Sequence, residues 1–216
     1  RSPRGSPADV IPVHYSSMIE ELRHVAASAH KSGARRPRVL IVGEKSGVIA
    51  SMFALAGADV ATCDVVDTET PHIPHFKGDA SHVMDRGFDL VIAHPPCTYL
   101  SNAGLMWLYQ EENRLDALTH AAWQFNRMRN AKARFVVVEQ PVMHRYARIL
   151  TGGDRPTQYI QPWQHGVGHT KATGLFLPPD LPPLTPTCIV EGREHAMANL
   201  GPAQRRDGAR SKSYMS

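Results

Sequence analysis

The chain has 216 residues, 42% of them hydrophobic, and its 24 Lys and Arg against 20 Asp and Glu give a formal charge of +4. That length suits one domain of ordinary size, and the composition is that of a globular protein with a core, which argues against disordered or fibrous classes. No apolar run approaches the ~20 residues that cross a bilayer. The three cysteines, Cys63, Cys97 and Cys188, make neither an even framework nor a CxxC pair, so a reduced, cytoplasmic setting with no membrane contact is the expectation.

Residues 1–14 open with Pro, Gly and Ser and read as a linker or disordered segment. Tyr15 to Lys31 has the spacing of an amphipathic helix, with Met18, Leu22, Val25 and Ala26 on one face and Gly33 as its stop. Arg38-Val-Leu-Ile-Val42 is a buried strand that runs into Gly43-Glu-Lys-Ser-Gly47, then a helix from Val48 to Ala56, then a strand over Asp59–Asp64. The unit ends in an acid, and 64 − 43 gives 21 residues between Gly43 and Asp64. That is the spacing of a nucleotide-type βαβ unit, whose glycines admit a ligand to the backbone and whose acid accepts from two ribose hydroxyls. The turn is neither GxGxxG nor a P-loop, and a tight bend is its plainer reading. Gly78-Asp79 follows a polar loop holding His72 and His75; a third strand lies near it, and Asp79 is a candidate for an adenine amino group, or simply a turn acid.

The stretch Phe88 to Asn102 organises the rest. Leu90-Val-Ile-Ala93 reads as a buried parallel strand, and Pro95 and Pro96 force the chain out of the sheet at its carboxyl end, where open α/β sheets bind ligands. Cys97 sits at that exit, with Ser101 and Asn102 placed to cap a helix over 103–110. A thiol near a helix N-terminus is biased toward thiolate; the alternative is a small buried filler. Glu112 to Asn130 follows as a long helix with Leu115, Leu118, Ala122, Phe125 and Met128 facing the core. Arg134-Phe-Val-Val-Val-Glu139 is the fifth strand and delivers Glu139 to its end just before Gln140-Pro141. A short helix spans His144 to Leu150. Two further strands are expected at Ile160–Gln164 and Thr173–Leu177, and residues 178–216 read as a proline-rich covering segment with a basic tail over Gln204–Lys212. The domain proper is thus 15–177.

Pro95-Pro96-Cys97, then Glu139-Gln140-Pro141, behind the Gly43…Asp64 unit, occur in one order. Over roughly residues 38–177 the chain resembles the catalytic core of cytosine-C5 DNA methyltransferases, and most closely the small phage- and prophage-type members. The resemblance implies an α/β fold, a single doubly wound Rossmann-like methyltransferase domain with a mostly parallel central sheet. It implies S-adenosylmethionine as cofactor, held at Gly43, Glu44, Gly47, Asp64, Asp79 and Pro95, with Cys97 as nucleophile and Glu139 as the carboxyl partner of the base. Adding a thiolate to C6 of cytosine makes C5 nucleophilic enough to take a methyl group, and a carboxyl group on N3 and the exocyclic amine favours that addition.

The family's Glu-Asn-Val reads Glu139-Gln140-Pro141 here, and no Gln-x-Arg-x-Arg segment follows, so Lys171 is the substitute for the group that holds the cytosine O2. Only 77 residues follow Glu139 (216 − 139), little for the recognition region that DNA-acting members use. The expected partner is therefore DNA or a free cytidine nucleotide, CMP or dCMP, and the sequence sets no oligomeric state. Three other readings stay open: an amino-group methyltransferase, whose proline loop carries an aromatic where Cys97 stands; a nucleotide- or nucleic-acid-binding module without turnover; and a metal protein using His72/His75 or His165/His169. Those pairs lack a Cys or carboxylate partner at ligand spacing, so no metal is expected.

Overall fold

In a computed structural model, the described residues are 35–105, 108–110, 112–191 and 194–195. The expected linker over 1–14, the helix over Tyr15–Lys31 and the basic tail over Gln204–Lys212 lie outside them.

Apolar runs with β-branched residues form a sheet buried on both faces. Its strands are β1 (Arg38–Val42), β2 (Asp59–Asp64), β3 (His75–Lys77), β4 (Leu90–Ala93), β5 (Phe135–Pro141), β6 (Gln158–Ile160) and β8 (Thr173–Phe176). A two-residue β7 (His169–Thr170) pairs separately with β9 (Glu194–His195). The main sheet runs β3-β2-β1-β4-β5-β8-β6. The first five strands are parallel, and β8 is antiparallel to both β5 and β6. This is an α/β, doubly wound, Rossmann-like domain with a mostly parallel sheet.

The helices cover opposite faces. Helix α1 (Val48–Leu55) lies over Val39, Ile41 and Val60 through Ala50, Ile49 and Phe53. On the other face α3 (Arg114–Arg129) packs Leu118, Ala121, Ala122 and Phe125 against Leu40, Val42, Val91 and Val138. Burying that stripe is the main source of its stability, at about 25 cal/mol per Å² of apolar surface. A turn over 98–100 and the four-residue α2 (Asn102–Leu105) connect β4 to α3, and α4 (Arg145–Leu150) follows β5.

Several expectations are corrected. Leu118, Ala122 and Phe125 of α3 are buried and Met128 packs against them as expected, but Leu115 is 62% exposed and Arg114 and Ala121 take the remaining buried positions. The helix expected over 103–110 is described as helical only over Asn102–Leu105, and Ser101 forms a β-bridge to Met143 rather than acting as a cap. The strand expected over Ile160–Gln164 is β6, ending at Ile160; Pro162–Gln164 is a 3₁₀ turn, because Pro162 cannot donate to a ladder. His75 belongs to β3, not to a polar loop. The segment 178–186 has no regular structure, with a turn at 179–180. It is tied to the sheet by Gln158, which donates to Leu184 O (2.6 Å) and accepts from Leu184 N (2.8 Å).

Candidate active site

At the carboxyl ends of β1 and β4 the strand order reverses, and a cleft of about 280 Å³ opens there. Gly43 follows β1 at its floor with φ 76°, and a Cβ on it would overlap the carbonyl of His94 across the sheet. A side chain at this position would be strained twice, by backbone conformation and by the passing strand. Asp64 ends β2 and lines the cleft; among the described residues its Oδ1 accepts from Val66 N at 3.3 Å. Asp79 lines it from the loop after β3 and caps the 3₁₀ turn Ala80–His82, its Oδ1 accepting from Ser81 N at 2.7 Å. That bond to Ser81 holds the Asp79 carboxyl below its ordinary range.

The opposite wall is α3, through Trp123, Gln124, Arg127 and Met128. Trp123 is 53% exposed and stacks on His120, ring centroids 5.7 Å apart. Arg127 is fixed by Asp85, at 2.7 Å. Cys63 also lines the cleft but is buried, and its thiol is pushed up to about 11, by burial first and then by Asp64 and Asp79. Sequence reasoning missed Met84, His94 and the α3 residues. Nothing in the linear spacing ties residues 123–128 to Gly43; the crossover of the chain does.

Three cofactor candidates stand elsewhere. Glu44 is buried, and its carboxylate accepts from the α1 amides of Ile49 (2.6 Å) and Ala50 (3.1 Å), so it holds the helix N-terminus rather than lining the cleft. Gly47 is buried with φ 68°, and a Cβ there would run into Thr70. Pro95 is buried beneath its loop, while Pro96 reaches the cleft.

Cys97 does not line the cleft but follows Pro96, which does, and so stands at its rim; it is exposed and belongs to no disulfide, which excludes the buried-filler reading. Its carbonyl accepts from Leu100 N (3.2 Å) and Ser101 N (3.0 Å), closing the turn that follows. Two groups brace this turn. Arg114 stacks on Tyr99, 4.5 Å from the ring centroid, and donates to Thr98 O at 3.3 Å. His144 lies 2.9 Å from Tyr99 O through Nε2 and donates its backbone N–H to Leu100 O at 3.1 Å.

Glu139 does not stand at a strand end: β5 continues through Gln140 to Pro141, and Glu139 pairs with Leu175 of β8. The strand continues because β8, starting at Thr173, pairs alongside it and gives those residues a ladder partner. Beta4 and β5 are neighbours, Ala93 opposite Val138. Gln140 is fully buried, and among the described residues neither of its amide atoms has a hydrogen-bond partner. Lys171 lies in the turn before β8, its N–H donating to Gln161 Oε1 at 2.9 Å. Thr173, two residues on, is paired with Pro141, so Lys171 belongs to the same edge of the sheet as the Cys97 turn. His75 places Nδ1 2.9 Å from Thr62 Oγ1, and His165 places its own 3.1 Å from Thr187 Oγ1.

A second hollow of about 370 Å³ lies at the opposite, amino edge of β1, β4 and β5. It is lined by Pro37, Phe53 and Phe135 and bordered by the Arg35–Asp89 ion pair (2.7 Å), and it holds none of the candidate residues.

No family model and no curated protein matches the chain. Among solved structures, it is similar to a SAM-dependent methyltransferase from Agrobacterium tumefaciens at 17% identity, over 64% of this chain and 48% of that one, with a TM-score of 0.35. The chain thus spans about half the length of that relative. It is also similar to magnesium protoporphyrin IX methyltransferase from Synechocystis with bound SAM, at 12% identity over 81% and 86% of the two chains, TM-score 0.42. A third is the N-methyltransferase NodS from Bradyrhizobium japonicum with S-adenosyl-L-homocysteine, at 14% identity over 80% and 90%, TM-score 0.42.

Proposed function

We propose that the protein is a methyltransferase that uses S-adenosylmethionine to methylate C5 of cytosine, in DNA, through a covalent adduct of Cys97. The observation that carries this reading is the convergence of Gly43, Asp64 and Asp79 on one cleft at the sheet's switch point, with the exposed Cys97 turn at its rim. The cleft, at about 280 Å³, is just below the roughly 300–1,000 Å³ usual for small-ligand sites. Its side chains suit a nucleoside: a glycine floor that admits a ligand to the backbone, and two carboxylates able to accept from ribose hydroxyls and an adenine amino group. Bound there, S-adenosylmethionine supplies an electrophilic methyl group.

The chain's own residues do the rest. Cys97 adds as thiolate to C6 of cytosine, moving electron density to C5. Arg114 and His144 hold the turn that carries it. Glu139 serves the N3 and amino edge of the ring, and Lys171 the O2, which relieves the charge that builds during addition. Once C5 carries the methyl group, a base takes the C5 proton, the C5–C6 double bond re-forms and the C6–S bond breaks to release the thiolate.

Methylation assays with tritiated cofactor on duplex DNA, single strands, dCMP and CMP test this. Wild type is expected to label cytosine at C5 and Cys97→Ala to lose turnover while keeping cofactor affinity. Label on an exocyclic nitrogen, or full activity in Cys97→Ala, overturns the covalent C5 route. Label in dCMP or CMP alone replaces DNA as the substrate.

A further inference from the structure

The Cys97 turn is laced to the start of α4. Ser101 bridges Met143, Asn102 N donates to Val142 O at 3.0 Å, and His144 bonds the backbone of Tyr99 and Leu100. Beside this seam stands a group that the proposed chemistry does not use. Tyr109 is 81% exposed, and its hydroxyl donates to the hydroxyl of Tyr146 at 3.2 Å. Arg145 donates to the same oxygen at 2.6 Å and lies over the Tyr146 ring, 4.5 Å from its centroid. The Tyr146 oxygen therefore accepts two hydrogen bonds, which uses both lone pairs and leaves its own proton to give away. The donors on that oxygen, Tyr109 first, also hold the Tyr146 hydroxyl below its ordinary range, which makes it a stronger donor. Arg145 is exposed and has no carboxylate partner among the described residues.

An arginine with further N–H groups beside a hydroxyl proton selects an anionic oxygen, and a phosphate is the anion that comes with an aromatic base. The neighbouring ring of Tyr109 offers an open face of the kind on which unpaired bases stack. In a duplex the bases are stacked on one another and closed to such a ring; in a single strand they are open to it.

We infer that Arg145, Tyr146 and Tyr109 form a docking platform for single-stranded nucleic acid, with the backbone phosphate on Arg145 and Tyr146 and a base on Tyr109. The inference rests on the proposed cytosine chemistry only for its biological sense, since the platform adjoins the Cys97 turn. A mononucleotide has one base and cannot occupy both the cysteine and the Tyr109 ring. The platform therefore assigns the substrate to a polynucleotide strand.

The test is fluorescence anisotropy of the full chain with labelled twelve-residue oligo-dC and oligo-rC, and with a duplex of the same length, across a salt series. No cofactor is needed, so failure of methyl transfer and failure of strand binding read out separately. Wild type is expected to bind a single strand more tightly than the duplex. Tyr109→Ala should weaken that binding about 5- to 100-fold, the loss of one base–aromatic stack, and Tyr109→Trp should restore it. Arg145→Ala should weaken binding and flatten the log–log salt slope by about 0.7, one phosphate contact on a single strand. Both side chains are exposed, so circular dichroism should stay unchanged. The dC and rC arms tell DNA from RNA, either of which meets the inference. Absence of strand binding, equal binding by Tyr109→Ala and wild type, or tighter binding of duplex overturns it.

Discussion

At the scale of single residues, two neighbouring cysteines have opposite fates. Cys63 lies within β2, buried and beside Asp64, whereas Cys97 is four residues past β4 and exposed. With its thiol pushed up to about 11, Cys63 has about one thiolate in a thousand molecules at pH 8. Cys97 is expected to alkylate much faster with iodoacetamide, as read by peptide mass mapping; equal rates would contradict its placement on the rim. Asp64 allows a second test. If its carboxylate meets a ribose diol, Asp64→Ala should weaken binding of S-adenosylmethionine by about 1–3 kcal/mol, the scale of charge-assisted hydrogen bonds, without changing the melting temperature. Calorimetry on the two proteins decides it.

At the scale of elements, the β1–α1 turn is held by geometry rather than by ligand chemistry. Gly43 and Gly47 both have positive φ and both meet neighbours where a Cβ would stand. Glu44 satisfies the α1 amides that an uncapped helix would leave orphaned. Gly43→Ala should therefore cost about 1–3 kcal/mol in denaturant unfolding, the range for a non-glycine residue forced into a left-handed conformation, with more added if the His94 carbonyl cannot yield. A neutral substitution would mean that β1 and β4 are further apart than the structure has them. The same reasoning explains β5: Glu139 lies inside the strand because β8 continues the sheet past it.

For the whole molecule, charge ties the loops to the sheet and sets the pH range of stability. Asp85 accepts from Arg127 and from Lys132 N, and Asp89 from Arg35 and from Arg38 N; the arginine bond is the larger cause in each, and both carboxyls are held below their ordinary range. A lowered folded-state value means that the unfolded chain binds protons first as pH falls. Stability from these groups is thus present above about pH 4, the ordinary carboxylate value, and is lost below it. Cys63 acts at the other end: its raised value means that the unfolded chain ionises first, and stability falls as pH rises from about 9 toward 11. Urea unfolding at stepped pH should show a plateau between these limits, with Asp85→Asn blunting the acid slope. A slope of unchanged steepness in that variant would remove Asp85 from the account.

Periodicity and punctuation in the sequence were enough for β1, α1, β2, β4 and most of α3. Uninterrupted apolar runs have one stable home, a sheet covered on both faces, and glycine or paired prolines mark where each leaves it. The same local rules brought Gly43, Asp64, Asp79 and Cys97 to strand ends, because the carboxyl end of a parallel strand is where its loop must begin. They could not decide what depends on the neighbours. Leu115 is exposed because what a helix packs on decides which of its positions are covered. Pro141 stays in the sheet because β8 returns beside it. Glu44 caps a helix whose start lies four residues on, and Trp123 and Met128 wall a cleft whose floor is 80 or more residues away. The seam that places Arg145, Tyr146 and Tyr109 beside Cys97 also exists only in three dimensions, since backbone groups of two loops must find each other before three side chains can share one oxygen.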